Sequence, residues 1–211
     1  MTNYQHIIWD WNGTLLNDVW LSIEIVNTML EKHNATQLDV QRYREVFDFP
    51  IIQYYQRIGF NFEQESFEDL CEQFISNYGQ RVEECQLHRG ARRTIHQLHE
   101  FKISQSVLSA AEQQLLNRMV DTFGVSRYLE KVSGLSDNYA ASKVENGQRM
   151  IAAMGLRPEE VLLVGDTTHD YEVAEAIGVD CVLIAHGHHD FEKLSKHTDV
   201  VSNFDELVQY L

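Results

Sequence analysis

Three carboxylates stand directly after two short apolar segments of this chain. Asp10 directly follows the run from Ile7 to Trp9. Asp166 directly follows the run VLLVG at 161–165, and Asp170 comes four residues later. Buried strands that end in carboxylates are typical of open parallel α/β sheets, which bind ligands at their carboxyl edge. Clustered carboxylate oxygens suit a hard divalent cation such as Mg²⁺ facing a phosphate. The alternative is a structural use of each aspartate in a turn or a helix cap.

Two further segments carry residue types that phosphoryl transfer needs. Ser109 ends the segment SQSVLS, where its hydroxyl and the amide of Ala110 are candidates to hold a phosphate oxygen. Lys143 offers a point positive charge for the charge that develops on a transferred phosphoryl group. Because phosphoryl transfer depends on positioning and charge neutralisation, the pattern predicts such a site, with Asp10 as the anionic nucleophile.

The hydrophobic pattern of residues 15–86 is helical. After a first strand at 7–10, apolar residues recur at helical spacing, and no strand signal interrupts them until about residue 86. The predicted helices span 15–33, 40–47, 51–58 and 67–82. A helical block of about 70 residues between two strands is too long for a simple crossover. Residues 17–86 are therefore interpreted as an inserted helical subdomain, and residues 1–16 and 87–211 as the core domain.

From Gly90 onwards, predicted strands and helices alternate. The strands are expected at 105–109, 131–133, 161–165, 181–184 and 199–201, and the helices at 91–101, 111–123, 144–154, 171–177 and 204–211. Such alternation indicates a parallel sheet covered on both faces. The predicted fold class is α/β, with a Rossmann-like three-layer parallel sheet core and an inserted all-helical subdomain.

Composition limits the partners and the compartment. The chain has 211 residues, of which 44% are hydrophobic and 23% charged, an ordinary balance for a globular protein with a full core. Its formal net charge of −15 argues against nucleic acid and anionic membranes, because phosphate backbones need a basic face. No apolar run approaches the roughly 18 residues of a membrane span. The three cysteines are odd in number and have no CxxC spacing, which predicts free thiols and a cytoplasmic location.

The order of these motifs resembles that of the haloacid dehalogenase superfamily, in particular its phosphoglycolate-phosphatase-like branch. Asp10 corresponds to the nucleophile of the first motif, Ser109 to the second motif, Lys143 to the third, and the stretch GDTTHD at 165–170 to the fourth. The insertion at 17–86 corresponds to the family's helical cap, so the resemblance covers nearly the whole chain. It implies Mg²⁺-dependent hydrolysis of a small phosphorylated metabolite. The expected oligomeric state is a monomer or a homodimer.

The resemblance also implies the metal ligands. Mg²⁺ would be held by Asp10, by the backbone carbonyl of Asn12 and by Asp166, with Asp170 close by. Thr14 lies in the Gly-Thr turn after the nucleophile and is a candidate for substrate binding.

Position 12 departs from the family's phosphatases, in which an aspartate protonates the leaving group and then activates water. This chain has Asn12, whose amide keeps the size and the turn but cannot donate or accept that proton. General acid–base catalysis typically contributes about 10²–10⁴ in rate. We therefore expect slow hydrolysis of alkyl phosphates, and we expect Asn12→Asp to raise turnover of an aryl phosphate. His169 is a candidate substitute as proton carrier.

Three branches of the superfamily can lack the second aspartate. A carbon–halogen hydrolase needs no proton on its leaving group, but its fourth motif resembles Ser-Ser-Asn rather than the GDTTHD present here. A carbon–phosphorus hydrolase needs a cap lysine for a Schiff base, and Lys32 is the sole lysine before Lys102. The third alternative is a regulator that binds a phosphorylated ligand with little turnover.

Two other segments contain candidate functional residues. Tyr54 and Arg57, after Pro50, are candidates to bind a substrate's carboxylate or second phosphate. The alternative is that the tyrosine packs in the core of the helical block and the arginine is solvated. The loop from His186 to His189 contains three histidines. It is either a zinc or nickel site or, as we expect, a polar loop near the entrance of the active site.

Overall fold

The computed structural model of the chain describes residues 4–135 and 142–211. The chain divides into two compact units. One comprises the residues up to Asn17 together with Gln86–Leu211, and we call it the α/β unit. The other is Asp18–Cys85, and we call it the helical unit.

A six-stranded parallel sheet forms the centre of the α/β unit. Numbered along the chain, its strands are β1 (His6–Trp9), β4 (Ser104–Glu112), β5 (Lys131–Leu135), β6 (Val161–Gly165), β7 (Asp180–Ile184) and β8 (Val200–Val201). Their order across the sheet is β5-β4-β1-β6-β7-β8. Two short strands, β2 (Leu16–Asn17) and β3 (Gln86–Leu87), form a separate antiparallel pair.

Strand register brings three of the candidate residues to one place. Trp9 on β1 lies opposite Val107 on β4 and opposite Val164 on β6. The chain therefore leaves the sheet at Asp10 beside the positions of Ser109 and Asp166. Because all these strands run in the same direction, their carboxyl ends meet at one edge, as the sequence pattern requires.

Helices pack on both faces of the sheet, which explains why its central strands are fully buried. Those of the α/β unit are α5 (Ala91–Glu100), α6 (Gln113–Thr122), α7 (Ser142–Met154), α8 (Thr168–Ile177), α9 (Phe191–Leu194) and α10 (Phe204–Tyr210). On one face, Ile8 and Leu163 pack with Val173 of α8. On the other, the ring of Trp9 lies 6.1 Å from that of Phe204 of α10. The predicted α/β, Rossmann-like core is confirmed.

The regular elements of the helical unit are all helices. They are α1 (Val19–Lys32), α2 (Val40–Val46), α3 (Ile51–Ile58) and α4 (Phe67–Arg81), followed by a single 3₁₀ turn. Aromatic rings form much of its core: the ring of Phe47 lies 5.2 Å from those of both Tyr43 and Tyr54. The hydroxyl of Tyr78 on α4 donates a 2.5 Å hydrogen bond to the buried carboxylate of Asp18, next to the start of α1.

The first helix begins later than the sequence pattern predicts. Helix α1 starts at Val19 rather than at residue 15, because Leu16–Asn17 form β2 and pair with Gln86–Leu87. The prediction that no strand interrupts the pattern before about residue 86 is therefore wrong. A strand of two residues has no periodicity of its own, and the adjacent apolar residues fit the helical pattern equally well.

Strand β4 extends beyond its predicted end at Ser109 and reaches Glu112, with a shift in register before that residue. The helix predicted from residue 111 begins at Gln113 instead. The Glu112 carboxylate accepts hydrogen bonds of 2.8 and 2.9 Å from the amides of Gln114 and Leu115, two and three residues further on. A side chain that caps these amides sets the start of the helix.

The composition predicts free cysteine thiols and the absence of a membrane-spanning segment. Cys71, Cys85 and Cys181 are free thiols, as their number and spacing predict. In the described parts of the chain, no helix has both the length and the apolar character needed to cross a membrane.

Candidate active site

Asp10 lies at the centre of a group of charged side chains at the carboxyl edge of the sheet. It directly follows β1 and is 7% exposed. Its Oδ1 accepts a 2.6 Å hydrogen bond from Nζ of Lys143, and its Oδ2 lies 3.4 Å from the hydroxyl of Thr14. Burial, together with the nearby carboxylates of Asp170 and Asp166, raises the pKa of Asp10 to about 8, although Lys143 acts in the opposite direction. This carboxylate is held in place within a strongly negative site.

Lys143, near the start of α7, is buried between two carboxylates. It is 2% exposed, and its Nζ donates hydrogen bonds of 2.6 Å to Oδ1 of Asp10 and to Oδ1 of Asp170. Burial disfavours the ammonium, but the two carboxylates outweigh this effect and raise the pKa of Lys143 above its ordinary value. The side chain is thus a fixed positive charge beside Asp10.

Asp166, directly after β6, is held from two sides. Its Oδ1 accepts a 2.7 Å hydrogen bond from the hydroxyl of Thr14, and its Oδ2 accepts one of 2.6 Å from the backbone amide of His188. Burial raises its pKa to about 6. A Cβ at Gly13 or at Gly187 would overlap with this carboxylate. Glycine at these two positions therefore lets the backbone pass directly against Asp166.

Asp170 closes the first turn of α8. Its Oδ2 accepts hydrogen bonds from the hydroxyl of Thr167 at 2.7 Å and from the amides of Asp166 and Thr167 at 3.2 and 3.0 Å. This capping box starts the helix at Thr168, whereas the sequence pattern predicts residue 171. Burial opposes ionisation of Asp170, but Lys143 and these hydrogen bonds lower its pKa. Asp170 is thus a fixed anion that holds Lys143.

Ser109 and Asn12 lie side by side at the same edge. The hydroxyl of Ser109 lies 3.5 Å from Oδ1 of Asn12, to which it donates, and it accepts a 3.1 Å hydrogen bond from the amide of Ala111. Ala110, which lies between Ser109 and Ala111 on β4, is partly buried. The structure brings Ser109 next to the first motif, and contact of Ser109 and Ala110 with a phosphate stays a prediction.

Asp10, Asp166 and Asp170 form a group that can hold a metal ion. One carboxylate oxygen from each lies within 4.8 Å of the others, and all three residues are buried. Lys143 contacts two of them and balances one of the three negative charges. A divalent cation would neutralise the remaining charge and favour the ionised form of Asp10. Because carboxylate oxygens are the ligands that Mg²⁺ prefers, this donor set fits Mg²⁺.

The histidine loop supports the site from within the protein. His188 and His189 are buried, and Nδ1 of His189 accepts a 3.1 Å hydrogen bond from the amide of Thr168 at the start of α8. His186 stacks on His88 with ring centroids 3.6 Å apart. Among the described residues, the group suited to a metal ion consists of the three aspartates and includes no loop histidine. The position of this loop relative to an entrance of the active site stays a prediction.

Tyr54 and Arg57, the other candidate substrate contacts, belong to α3 of the helical unit. Tyr54 is 2% exposed in the aromatic core, and its hydroxyl has no hydrogen-bond partner within the described part of the chain. Arg57 is about half exposed, with Nη1 3.8 Å from the carboxylate of Asp48. Packing accounts for the ring of Tyr54, and a substrate role for either side chain stays a prediction.

Sequence reasoning missed the groups that hold Asp166. The sequence analysis offers Thr14 as a substrate contact, whereas in the structure its hydroxyl donates to Asp166. The second donor is the backbone amide of His188, and an amide carries no residue-type signal. Gly187, which lets the loop approach Asp166, is the nearest hint in the sequence.

The fold and this set of residues define a known class of enzymes. The family profile described as haloacid dehalogenase-like hydrolase matches residues 7–184, so the chain belongs to the haloacid dehalogenase-like hydrolases. The resemblance inferred from the four motifs is confirmed.

Individual relatives share limited sequence identity with this chain. A phosphoglycolate phosphatase of Synechococcus elongatus is 23% identical over 190 residues, which are 90% of this chain and 88% of the relative. The tyrosine-protein kinase PtkA of Mycobacterium tuberculosis is 28% identical over 111 residues, or 50% of this chain and 38% of the kinase. This chain therefore aligns with well under half of that kinase. The solved structure of a haloacid dehalogenase-like hydrolase from Streptococcus pneumoniae matches with a TM-score of 0.85 at 17% identity, covering 100% of this chain and 99% of the other, which shows the same fold.

Proposed function

We propose that this protein is a Mg²⁺-dependent phosphatase that hydrolyses a small phosphorylated metabolite through a covalent intermediate on Asp10. The observation that carries the proposal is the buried Asp10 carboxylate, 2.6 Å from the ammonium of Lys143 and within 4.8 Å of two further carboxylates. A carboxylate nucleophile, a fixed ammonium and a hard metal site in one buried place are the components that phosphoryl transfer requires.

Each side chain has a role in this proposal. Asp10 attacks phosphorus and becomes an aspartyl-phosphate. Lys143 neutralises charge on the transferred group, and Ser109 with the amide of Ala110 binds its oxygens. Thr14 fixes the position of Asp166 through its 2.7 Å hydrogen bond.

The metal would be held by Asp10, Asp166 and the backbone carbonyl of Asn12, with Asp170 anchoring Lys143 beside them. Bound Mg²⁺ supplies Lewis-acid neutralisation of the phosphate charge. The excess of buried carboxylates over the single contacting lysine supports this assignment.

The substrate and the cellular setting are proposals as well. Relatives that bear the name phosphoglycolate phosphatase support a small phosphorylated metabolite as substrate. The helical unit would serve as the cap that selects it, with Tyr54 and Arg57 as candidate contacts. The net charge of −15 disfavours nucleic acid. A cytoplasmic monomer or homodimer remains the expected form.

Hydrolysis of p-nitrophenyl phosphate tests the proposal, because its leaving group departs without a proton. We expect Mg²⁺-dependent turnover that is lost in EDTA and falls by about 10³-fold or more in Asp10→Asn, which removes the nucleophile. The variant Asp121→Asn makes the same chemical change at an exposed carboxylate of α6 and should keep the wild-type rate. Turnover that survives EDTA, or that Asp10→Asn leaves unchanged, would overturn the proposal. Release of halide from a haloacid in EDTA would indicate the carbon–halogen alternative.

A further inference from the structure

We infer that Asn12 makes this site easy to phosphorylate with acyl phosphates and slow to dephosphorylate, so that the aspartyl-phosphate on Asp10 persists. The inference rests on the proposed function and extends it. It specifies which phosphoryl donors phosphorylate Asp10 and how slowly the resulting aspartyl-phosphate is hydrolysed.

The resemblance to the family's phosphatases implies that position 12 carries the proton to and from the reacting groups, and this chain has a carboxamide there. Asn12 is the second residue after Asp10, and its Oδ1 lies 3.5 Å from the hydroxyl of Ser109. The next residue, Gly13, passes directly against Asp166. A carboxamide forms hydrogen bonds but does not ionise, so it cannot serve as a general acid or base.

Two side chains that hydrogen-bond to the Asp10 carboxylate, Lys143 and Thr14, are unsuited to act as the base. Lys143 is already a charged ammonium shared with Asp170, and the hydroxyl of Thr14 donates to Asp166.

His169, the substitute proton carrier that the sequence offers, lies in the first turn of α8, between the capping-box residues Thr167 and Asp170. Its Nδ1 is 3.3 Å from the carboxylate of Glu172, one turn further along the same helix. This contact engages Nδ1 of His169. Action of His169 as the base would shorten the lifetime of the intermediate that is measured below.

The first step needs no proton when the leaving group is a carboxylate. A carboxylate oxygen of Asp10 bonds to phosphorus while the bond from phosphorus to the acyl oxygen breaks, and the electron pair of that bond leaves on the released carboxylate. Carboxylic acids have pKa values of about 4, so this product departs as an anion. An alkyl phosphate would have to expel an alkoxide, which needs a proton from a general acid. The favoured donors are therefore acyl phosphates, followed by phosphates of acidic phenols.

The second step does need a base. The oxygen of water bonds to phosphorus, the bond from phosphorus to Asp10 breaks with its electron pair returning to the carboxylate, and one proton must leave the water. Asn12 cannot take that proton, and Asp10 is 7% exposed, which limits access of bulk water. General-base assistance is typically worth about 10²–10⁴ in rate. The intermediate should therefore outlive the one formed by an enzyme with aspartate at position 12 by about that factor.

Acetyl phosphate with Mg²⁺ is the probe that tests this inference, read by intact-protein mass spectrometry. We expect wild-type protein to gain the mass of one phosphoryl group and to retain it after acetyl phosphate is removed. Hydroxylamine, which cleaves acyl phosphates but not phosphate esters, should release it. Asp10→Asn should gain nothing. Asn12→Asp should lose its phosphoryl group about 10²–10⁴-fold faster and release inorganic phosphate faster at steady state.

The matched control is Asn203→Asp, the same chemical change at an exposed residue whose side chain caps α10. An aspartate can cap the same amides, so this variant should retain its phosphoryl group as long as the wild type does.

The possible failures are distinguishable. If the wild type releases phosphate from acetyl phosphate without accumulating an adduct, this inference is overturned and the proposed function stands; the wild type alone decides this even if Asn12→Asp does not fold. If wild type neither forms an adduct nor releases phosphate from acetyl phosphate or p-nitrophenyl phosphate, both fail. An adduct that forms in Asp10→Asn or resists hydroxylamine lies on another residue, and that also overturns the inference.

Discussion

Burial disfavours charge on both Asp10 and Lys143, and their mutual contact offsets this cost. Breaking such a buried pair by removing one partner typically costs about 3–5 kcal/mol, because the other charge is left without compensation. Asp170 gives Lys143 a second carboxylate at 2.6 Å. The ammonium therefore keeps a counter-charge when a phosphoryl group is attached to Asp10. Two partners, rather than one, allow the lysine to stay in place through a reaction cycle.

His6, at the start of β1, is a buried titratable residue that, unlike Asp10 and Lys143, has a neutral hydroxyl as its partner. Its Nδ1 lies 2.5 Å from the hydroxyl of Ser104, and its Nε2 has no hydrogen-bond partner within the described residues. Burial lowers the pKa of His6 to about 4. Protonation of this side chain therefore favours the unfolded chain, where nothing opposes the charge.

Acid should destabilise the protein partly through His6. Its folded pKa of about 4 lies below its unfolded value of 6.5, so stability is lost as the pH falls from 6.5 towards 4 and is unaffected by this residue above that window. From about pH 7 to about pH 5, the free energy of unfolding should fall by about 2 kcal/mol more in the wild type than in His6→Phe. Urea unfolding of both proteins at both pH values measures the difference, from which other titrating groups cancel. Equal losses in the two proteins would contradict the prediction.

At the scale of elements, two loops act together on one side chain. The β6–α8 connection carries Asp166 and the capping box, and the loop after β7 supplies the amide of His188 to the same carboxylate. Gly187 permits this close approach, because a Cβ there would overlap with Asp166. The second loop thus positions a candidate metal ligand without contributing a ligand itself, which is how groups around a metal site commonly act.

Gly187→Ala should therefore impair the site more than the fold. We expect Mg²⁺ affinity to fall by about 10–100-fold, since Asp166 must shift, and the free energy of unfolding to fall by about 1–3 kcal/mol from overpacking. Calorimetric Mg²⁺ titration and urea unfolding measure the two effects.

Gly155→Ala is the control for this substitution. Gly155 has a φ of +68° and open space around it, so alanine there should cost about 1–2 kcal/mol of backbone strain. Its Mg²⁺ affinity should equal that of the wild type. If Gly187→Ala binds Mg²⁺ as tightly as Gly155→Ala does, the loop does not position Asp166.

At the scale of the whole molecule, metal binding by the buried carboxylates would be linked to folding. Asp10, Asp166 and Asp170 come from the ends of β1 and β6 and from α8, and they meet only in the folded α/β unit. An ion bound there stabilises the folded state, because the unfolded chain offers no comparable site. The excess of negative charge around Lys143 would favour a multivalent cation over a monovalent one.

Mg²⁺ should therefore raise the melting temperature. At about 100 times its dissociation constant, the added stability should be about 2.7 kcal/mol. Differential scanning calorimetry with and without Mg²⁺, at constant ionic strength set with NaCl, isolates the specific effect. The Mg²⁺-dependent shift should largely vanish in Asp166→Asn and remain in Asp121→Asn. A shift that NaCl reproduces, or that Asp166→Asn retains, would count against the metal site.

The sequence by itself determined the fold class and the residues that leave the strand ends. The segments that begin at Ile7 and Val161 are continuous apolar runs. Such a run indicates a strand buried on both faces, even when the strands that pair with it are unknown. Since parallel strands present their carboxyl ends at one edge, Asp10, Ser109 and Asp166 were expected to meet there. That part of the site follows from local pattern plus a general rule of topology.

Only the tertiary structure decided how those side chains are held. Lys143 and Asp170 are 27 positions apart, and Thr14 and Asp166 are 152 apart, so no local pattern reports their hydrogen bonds. The amide that binds Asp166 belongs to the backbone, whose donors are the same at every residue except proline. Strand β2 could not be predicted from the sequence for a related reason. Its two residues are extended because they pair with the distant segment β3, and two residues are too few to show a hydrophobic periodicity.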